Sequence, residues 1–382
     1  MNVRKFNFGW LFGVILCLPV WAVASPRPVP SPPTVAANNY ILVDYHSGRI
    51  LAEKESDVRI PPASLTKLMT AFVVFNELRN NKITLDEEVL ISAKAWRTGG
   101  SRMFVEVNTR VKVEDLLKGM IIQSGNDASV ALAEHIAGTE ETFAAFMNQY
   151  ARELGMTNTH FTNSSGLPHD NHFTTARDLA ILVRNLIQRF PDYYEWYSER
   201  SFTYNNITQH NRNRLLWRDS SVDGLKTGYT ETAGYCLISS AEREGMRLVS
   251  VLLGAKNAEA RLTQSLALLN YGFRFFETRK LYQGGVPQLQ ARIWKGVSSE
   301  LKMGLKDDLY ITIPRGEYDK LQATTQLSEK IEAPVQSGEK MGSVSIHFYD
   351  EVLAERPLIA LDTVQRGGVG KRVIDSIKLW FH

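Results

Sequence analysis

Apolar residues crowd Leu65, Leu68, Met69, Phe72, Val73, Phe75 and Leu78 on almost every side of a helical wheel. That pattern predicts a helix buried in a core, and Pro61-Pro62 marks its start. Upstream, residues 40–44 and 50–53 flank His46-Ser47-Gly48 as the two short strands of a hairpin. Helical patterns then cover 113–123 and 127–137, broken at Ser124-Gly125-Asn126, and resume over 141–154 and 175–189. Thr175 and Asp178 open the last of these as a capping pair. The period changes at 234–240 and 247–254, which alternate as strands around a turn at Arg243-Glu244-Gly245, before 258–276 returns to helix. The sum is an α+β fold, with helices packed on one antiparallel sheet.

Beyond residue 281 the texture becomes β-like. Short runs at 289–294, 309–313, 321–325 and 344–348 alternate between Gly, Asp and Pro turns, so 281–365 reads as a separate all-β domain, a spacer or interaction platform. After Gly367-Gly368 comes an amphipathic helix in 366–382. It sets Val369, Val373, Ile377, Trp380 and Phe381 on one face and Lys371, Arg372, Asp375 and Lys378 on the rest, which suits a membrane surface. At the other end, Arg4 and Lys5 precede an apolar stretch, 6–21, and then Ala22-Val23-Ala24. This is a secretory signal over 1–24, followed by a Pro-rich leader over 25–37 and the main domain over 38–280. A retained membrane span fits less well, because Asn7 and Gly9 shorten the apolar core. Cys17 follows Leu16, where a lipid-attachment site needs a small residue.

Composition and charge remove several classes of function. The 382 residues carry a formal charge of +3, and losing Arg4 and Lys5 with the signal leaves +1, which argues against a nucleic-acid partner. Cys236 would then be the sole cysteine, so stability rests on packing and no internal disulfide forms. The histidines make no metal-ligand spacing, no glycine-rich phosphate loop is present, and no cofactor is implied. His46, His169 and His172 read as loop residues.

The candidate chemistry lies in three short motifs: Ser64-Leu65-Thr66-Lys67, Ser124-Gly125-Asn126 and Lys226-Thr227-Gly228. Serine-to-lysine spacing alone means little, since it recurs at Ser299 to Lys302 and Ser337 to Lys340. The ordered set is far harder to obtain by accident. On a helix, Ser64 and Lys67 share a face, so a neutral Lys67 amine can take the proton of the Ser64 hydroxyl as it attacks. Burial and a second cation, Lys226, would favour the neutral form. Ser124 can relay a proton to a leaving amine, and the Asn126 amide can grip a substrate peptide group. Lys226 and Thr227 can hold a carboxylate, Gly228 lets substrate approach the backbone, and the N–H groups of Ser64 and Tyr229 can hold an oxyanion. A Tyr204-Asn205-Asn206 triplet could replace the second motif, but it lies too near the third and lacks helical flanks.

With Pro61-Pro62-Ala63, Asn211-Arg212-Asn213, Val222-Asp223-Gly224 and Gly272-Phe273-Arg274-Phe275-Phe276, these motifs make nearly the whole chain similar to low-molecular-mass penicillin-binding proteins. These are serine-type D-alanyl-D-alanine carboxypeptidases of the peptidase S11 kind. The resemblance implies a penicillin-binding/β-lactamase-like transpeptidase domain followed by a small all-β domain. It implies removal of the terminal D-alanine from peptidoglycan stem pentapeptides through an acyl-enzyme on Ser64, with β-lactams acylating the same serine. Arg212 and Arg261 would support the substrate carboxylate. Partners would be the membrane surface through the terminal helix and wall-synthesis proteins through the β domain, at the periplasmic face of the bacterial inner membrane. Tyr229 stands where relatives often carry histidine. Two other readings remain: a β-lactamase, for which Glu195 and Glu199 lie in the right interval without the expected loop pattern, and a non-catalytic wall scaffold.

Overall fold

The computed structural model describes residues 28–328 and 330–380; the expected secretory signal and its cleavage site lie outside them, as does Phe381. The first five-stranded antiparallel sheet has the order β2-β1-β9-β8-β7. Its strands are β1 (Asn39–Asp44), β2 (Ile50–Lys54), β7 (Val222–Thr230), β8 (Gly234–Arg243) and β9 (Met246–Ala255). Two ribbons lie between them in sequence: β3 (Glu88–Leu90) with β4 (Arg110–Lys112), and β5 (Ser201–Tyr204) with β6 (Ile207–His210). The helices are α1 (Lys67–Arg79), α2 (Ala93–Arg97), α3 (Val113–Ile122), α4 (Asn126–Ala137), α5 (Glu140–Glu153), α6 (Ala176–Arg189), α7 (Pro191–Tyr194), α8 (Leu215–Arg218) and α9 (Ala258–Phe275).

Both faces of this sheet are covered. Ile41 and Val251, paired across β1 and β9, belong to one core with α1, α3 and α4, while Leu42, Leu248 and Leu252 belong to another with Leu268 and Leu269 of α9. Side chains alternate along a strand, so every residue of β1 is buried. Leu68, Met69, Phe72, Val73 and Phe75 of α1 are wholly buried, as the all-round apolar pattern predicts. Truncating Phe72 to alanine there would cost about 3–5 kcal/mol.

The leader differs from expectation. Val35 and Ala37 are buried, the Ala37 N–H donates to the Gln264 side chain at 3.1 Å, and the Tyr271 hydroxyl donates to the Pro30 carbonyl at 2.9 Å. A proline-rich strip, whose composition predicts an extended and poorly ordered leader, therefore lies against α9, because Val35 and Ala37 join the core of that helix.

The β-rich part begins with β10 (Phe276–Tyr282), which runs across the boundary expected at residue 281 and pairs with β13 (Leu309–Pro314). A second five-stranded sheet has the order β11-β12-β16-β15-β14, from β11 (Leu289–Arg292), β12 (Glu300–Gly304), β14 (Leu321–Leu327), β15 (Lys340–Phe348) and β16 (Glu351–Ala360). It has its own core, including Leu301, Met303, Ile311, Ile313, Ile346 and Leu358. The β1–β2 hairpin meets this part through short polar groups and a stack of the His46 and Tyr310 rings, 4.3 Å apart. Ser47 Oγ lies 2.6 Å and Thr278 Oγ1 2.8 Å from Thr312 Oγ1, and Thr278 also donates to Asp44 at 2.7 Å.

The last helix among the described residues is α10 (Val369–Leu379). Asp375 accepts the Lys295 N–H at 2.8 Å and Leu379 is buried, whereas Val373, Ile377 and Trp380 are 54%, 57% and 91% exposed. The apolar face is thus the one turned away from the protein. Among the described residues, no helix is long and apolar enough to cross a membrane.

Candidate active site

Ser64 does not stand in the first turn of α1. It lies on a preceding 3-10 turn, Ala63–Thr66, from which α1 departs at Lys67. The spacing of three residues still puts both side chains on one side, with Lys67 Nζ 3.1 Å from Ser64 Oγ. Two glycines press on this turn. At Gly166, with φ of +84°, a Cβ would lie 1.8 Å from the Ala63 carbonyl oxygen. At Gly228 on the edge strand β7, a Cβ would lie 3.2–3.3 Å from Pro62 O, Ala63 Cβ and Leu65 Cγ. The glycine of the third motif, expected to make room for substrate, seats the Ser64 turn against β7.

Lys67 is buried, and its amine has two further partners: Asn126 Oδ1 at 2.7 Å and the Ser165 carbonyl at 2.6 Å. A neutral amine has two N–H bonds and one lone pair. With both N–H bonds spent on those acceptors, the lone pair faces the Ser64 hydroxyl. Burial pulls the amine's pKa down to about 7; Asp127 opposes the shift, Arg212 adds to it, and Glu140 opposes it. Lys226 is equally buried, and its pKa is lowered by burial first, then by Lys67, Arg212 and Arg261. Its Nζ donates to the Thr227 carbonyl at 3.2 Å. Lys67 thus disfavours charge on Lys226, whereas the cation that depresses Lys67 is Arg212 rather than the expected Lys226.

Ser124 turns the chain between α3 and α4 at φ of +69°. Its hydroxyl is buried without a hydrogen-bond partner among the described residues. Asn126, expected to grip substrate, spends its amide inside the protein: Oδ1 on Lys67, and Nδ2 on the Gly99 carbonyl at 2.6 Å. Thr227 is buried on β7 beside Lys226. Arg212 donates from Nε to the Gln123 carbonyl at 3.0 Å, close enough to both lysines to depress their pKa values. Arg261 reaches the Gly228 carbonyl at 3.3 Å and braces the backbone of the third motif. Tyr229 is half exposed, its ring 4.4 Å from that of Tyr235. The N–H groups of Ser64 and Tyr229 are carried by the two elements that meet at Gly228.

Some contributors escaped the sequence reading. Asp127 accepts the Met103 N–H at 3.0 Å and the Phe104 N–H at 2.9 Å, fixing the loop that also holds Asn126. An acid in the first turn of α4, directly after the second motif, was the available signal. Ser165 contributes a backbone oxygen, which leaves no mark in residue type. His172, read as a loop residue, is buried and bonded to Thr66 Oγ1 at 2.8 Å. The other serine–lysine copies lie apart: Ser337 Oγ donates to the Leu361 carbonyl, and Ser299 Oγ accepts from Lys371 of α10. Glu199 pairs with Lys118 at 3.6 Å; among the described residues neither it nor Glu195 bonds Ser64, Lys67 or Ser124. No described group of three His, Cys, Asp or Glu side chains could hold a metal ion.

Residues 27–257 match the family description "D-alanyl-D-alanine carboxypeptidase", and residues 276–366 match "Penicillin-binding protein 5, C-terminal domain". The chain is 44% identical over 358 residues to D-alanyl-D-alanine carboxypeptidase DacC of Escherichia coli (strain K12), covering 92% of this chain and 90% of that one. Among solved structures, penicillin binding protein 5 from Haemophilus influenzae superposes with a TM-score of 0.84 at 40% identity, over 88% of this chain and all of that one. Penicillin-Binding Protein D2 from Listeria monocytogenes, solved in its ampicillin-bound form, gives 0.58 at 34% identity, over 63% of this chain and 98% of that one.

Proposed function

The chain belongs to the D-alanyl-D-alanine carboxypeptidase family and is a serine hydrolase of that family, and we propose that Ser64, Lys67 and Ser124 carry its reaction. The observation that supports this most is the buried Lys67 amine, 3.1 Å from Ser64 Oγ and bonded to Asn126 Oδ1 and the Ser165 carbonyl, so that once neutral it can turn its lone pair to Ser64. The substrate is a peptidoglycan stem peptide ending in D-alanyl-D-alanine. Ser64 Oγ attacks the carbonyl carbon of the penultimate residue while Lys67 takes its proton. The N–H groups of Ser64 and Tyr229 hold the oxyanion, and Ser124 passes a proton to the nitrogen of the departing D-alanine. Water then cleaves the ester and restores the serine. Lys226 and Thr227, assisted by Arg212, receive the terminal carboxylate; Asn126 and Gly228 position Lys67 and the Ser64 turn, and Arg261 steadies β7. A β-lactam carries an acyl group and a carboxylate in similar relation, so it acylates Ser64.

The test is to measure D-alanine release from a stem pentapeptide beside hydrolysis of a penicillin. D-Alanine release that disappears in Ser64→Ala is expected. Fast penicillin turnover without D-alanine release would instead make the protein a β-lactamase, and a wild type that never takes up a fluorescent penicillin would make it a scaffold.

The proposal extends to location. Export by the 1–24 signal, with α10 resting on the membrane by its Val373, Ile377 and Trp380 face, would hold the enzyme at the periplasmic side of the inner membrane. The β-rich part from β10 to β16 would act as the spacer between membrane and site, and as a surface for wall-synthesis proteins. Deleting residues 369–382 is expected to move the protein from the membrane to the soluble fraction. Undiminished membrane association would remove the anchor.

A further inference from the structure

The Lys67 lone pair points at Ser64 only while both of its N–H bonds are held elsewhere. One acceptor, Asn126 Oδ1, is a side chain of the second motif; the other is the Ser165 carbonyl, on a loop. What holds that loop decides whether the lysine stays aimed. Within the loop, Asn163 Oδ1 accepts the Gly166 N–H at 2.7 Å, which shapes the turn. From α1, Thr70 donates its hydroxyl to the Ser164 carbonyl at 2.6 Å. The remaining anchor is a carboxylate. Glu140, the first residue of α5 and only 8% exposed, accepts both the N–H and the hydroxyl of Ser164, at 3.0 and 2.8 Å, through one oxygen. Its other oxygen meets Lys94 of α2 at 3.1 Å.

We infer that Glu140 is a positioning residue for the acylation step: by clamping Ser164 it fixes the neighbouring Ser165 carbonyl, and that carbonyl aims the Lys67 amine at Ser64. The inference rests on the reading of Lys67 as the base. A buried carboxylate is costly unless fully bonded, and this one is bonded on both oxygens, to a residue whose immediate neighbour touches the lysine. It is a charged clamp of a kind the second motif does not supply.

Glu140 also bears on the lysine's charge. The groups that face Lys67 are Asp127 from α4, Glu140 from α5, Lys226 from β7 and Arg212 from the segment after β6. The negative groups stabilise the ammonium and the positive ones oppose it. Removing the Glu140 charge, or slackening the Ser165 carbonyl that accepts from the ammonium, acts in one direction: the amine loses its proton more easily. The acid limb of the reaction, where Lys67 must be neutral, therefore moves to lower pH even as poorer aim reduces the rate.

The experiment measures the second-order rate of Ser64 acylation by benzylpenicillin between pH 5 and 10, in wild type, Glu140→Gln, Ser164→Ala and the control Glu141→Gln. Glu141 also pairs with Lys94 but is exposed and does not touch the loop. In Glu140→Gln the plateau is expected to fall roughly 3- to 10-fold and the acid limb to move down by roughly half a pH unit. Ser164→Ala should show a smaller move in the same sense, and it decides the matter if Glu140→Gln does not fold. Glu141→Gln should superpose on wild type. An acid limb that stays in place or moves up in Glu140→Gln, whatever the plateau, overturns the inference, as does an unmoved Ser164→Ala if that variant alone folds. Lys67→Ala separates the two readings: an acid limb that survives it removes Lys67 as the base, whereas a limb lost with Lys67 but unmoved in Glu140→Gln removes only the role of Glu140.

Discussion

The two five-stranded sheets of this chain handle charge in opposite ways. Around the first, Lys67, Lys226, Asp127, Glu140 and His172 are all buried; among the described residues beyond it the buried acids are Glu317, in the β-rich part, and Asp375, which docks the terminal helix. The first region also bends its backbone at Ala63 and Ser124, both with positive φ, next to the groups proposed to react. Burying two amines within reach of each other opposes stability, so keeping Lys67 and Lys226 buried over one cleft is what a site for chemistry, rather than for stability, would require. The second sheet carries a serine–lysine pair at Ser299 and Lys302 that meets none of those conditions.

The strongest way to break this contrast is Lys67→Ala beside Lys302→Ala. The first is expected to lower acylation of Ser64 by a fluorescent penicillin at least about 10³-fold, and the second to leave it unchanged. Equal behaviour would erase the distinction. Next in size is Gly166→Ala, where the new Cβ would meet the Ala63 carbonyl. Urea unfolding should show a loss of about 3 kcal/mol, with slower acylation in the fraction that folds. Gly338→Ala, in the β-rich part, also has positive φ but an open surrounding, and it should cost less.

A third prediction concerns acid. The Thr162 N–H donates to His172 Nδ1, so Nε2 carries the proton and donates to Thr66; burial, with smaller help from His160 and His169, lowers the ring's pKa to about 4. The unfolded chain, with the ordinary histidine value of 6.5, binds a proton over a window where the folded one does not. Stability is therefore lost as pH falls from about 6.5 towards 4, by about 2 kcal/mol at pH 5. Urea melts at pH 7 and pH 5 should differ by that amount in wild type and by less in His172→Gln. The smallest expected effect is that of ending the chain after Phe276, which should leave penicillin acylation of Ser64 within about threefold of wild type. A collapse of the rate would show that the second sheet supports the site.

The side chains of the site were legible because chemistry fixes their types: a hydroxyl, an amine at three residues' remove, and a second amine on an edge strand. The backbone partners were not. The Ser165 carbonyl could belong to any residue, and the close approach at Gly228 appears only once β7 and the Ser64 turn are both in place. In the fold, α1, α6 and α9 announced themselves through period and caps, such as Thr175 accepting the Asp178 N–H. Strand β16 did not, because Glu355-Arg356-Pro357 interrupts its alternation while its ladder with β15 persists.

The joint between the two sheets has a consequence for how such a chain can change over evolutionary time. Where the β1–β2 hairpin meets β10 and β13, Ser47, Thr278, Thr312 and Asp44 exchange hydrogen bonds, Arg49 donates to the Thr312 carbonyl, and the His46 ring stacks on Tyr310. Water can replace each of those hydrogen bonds when the parts separate, so losing the second sheet uncovers the His46 ring but no broad apolar patch at those contacts to drive aggregation. A lineage can then discard or exchange that sheet in a single genetic event and remain soluble.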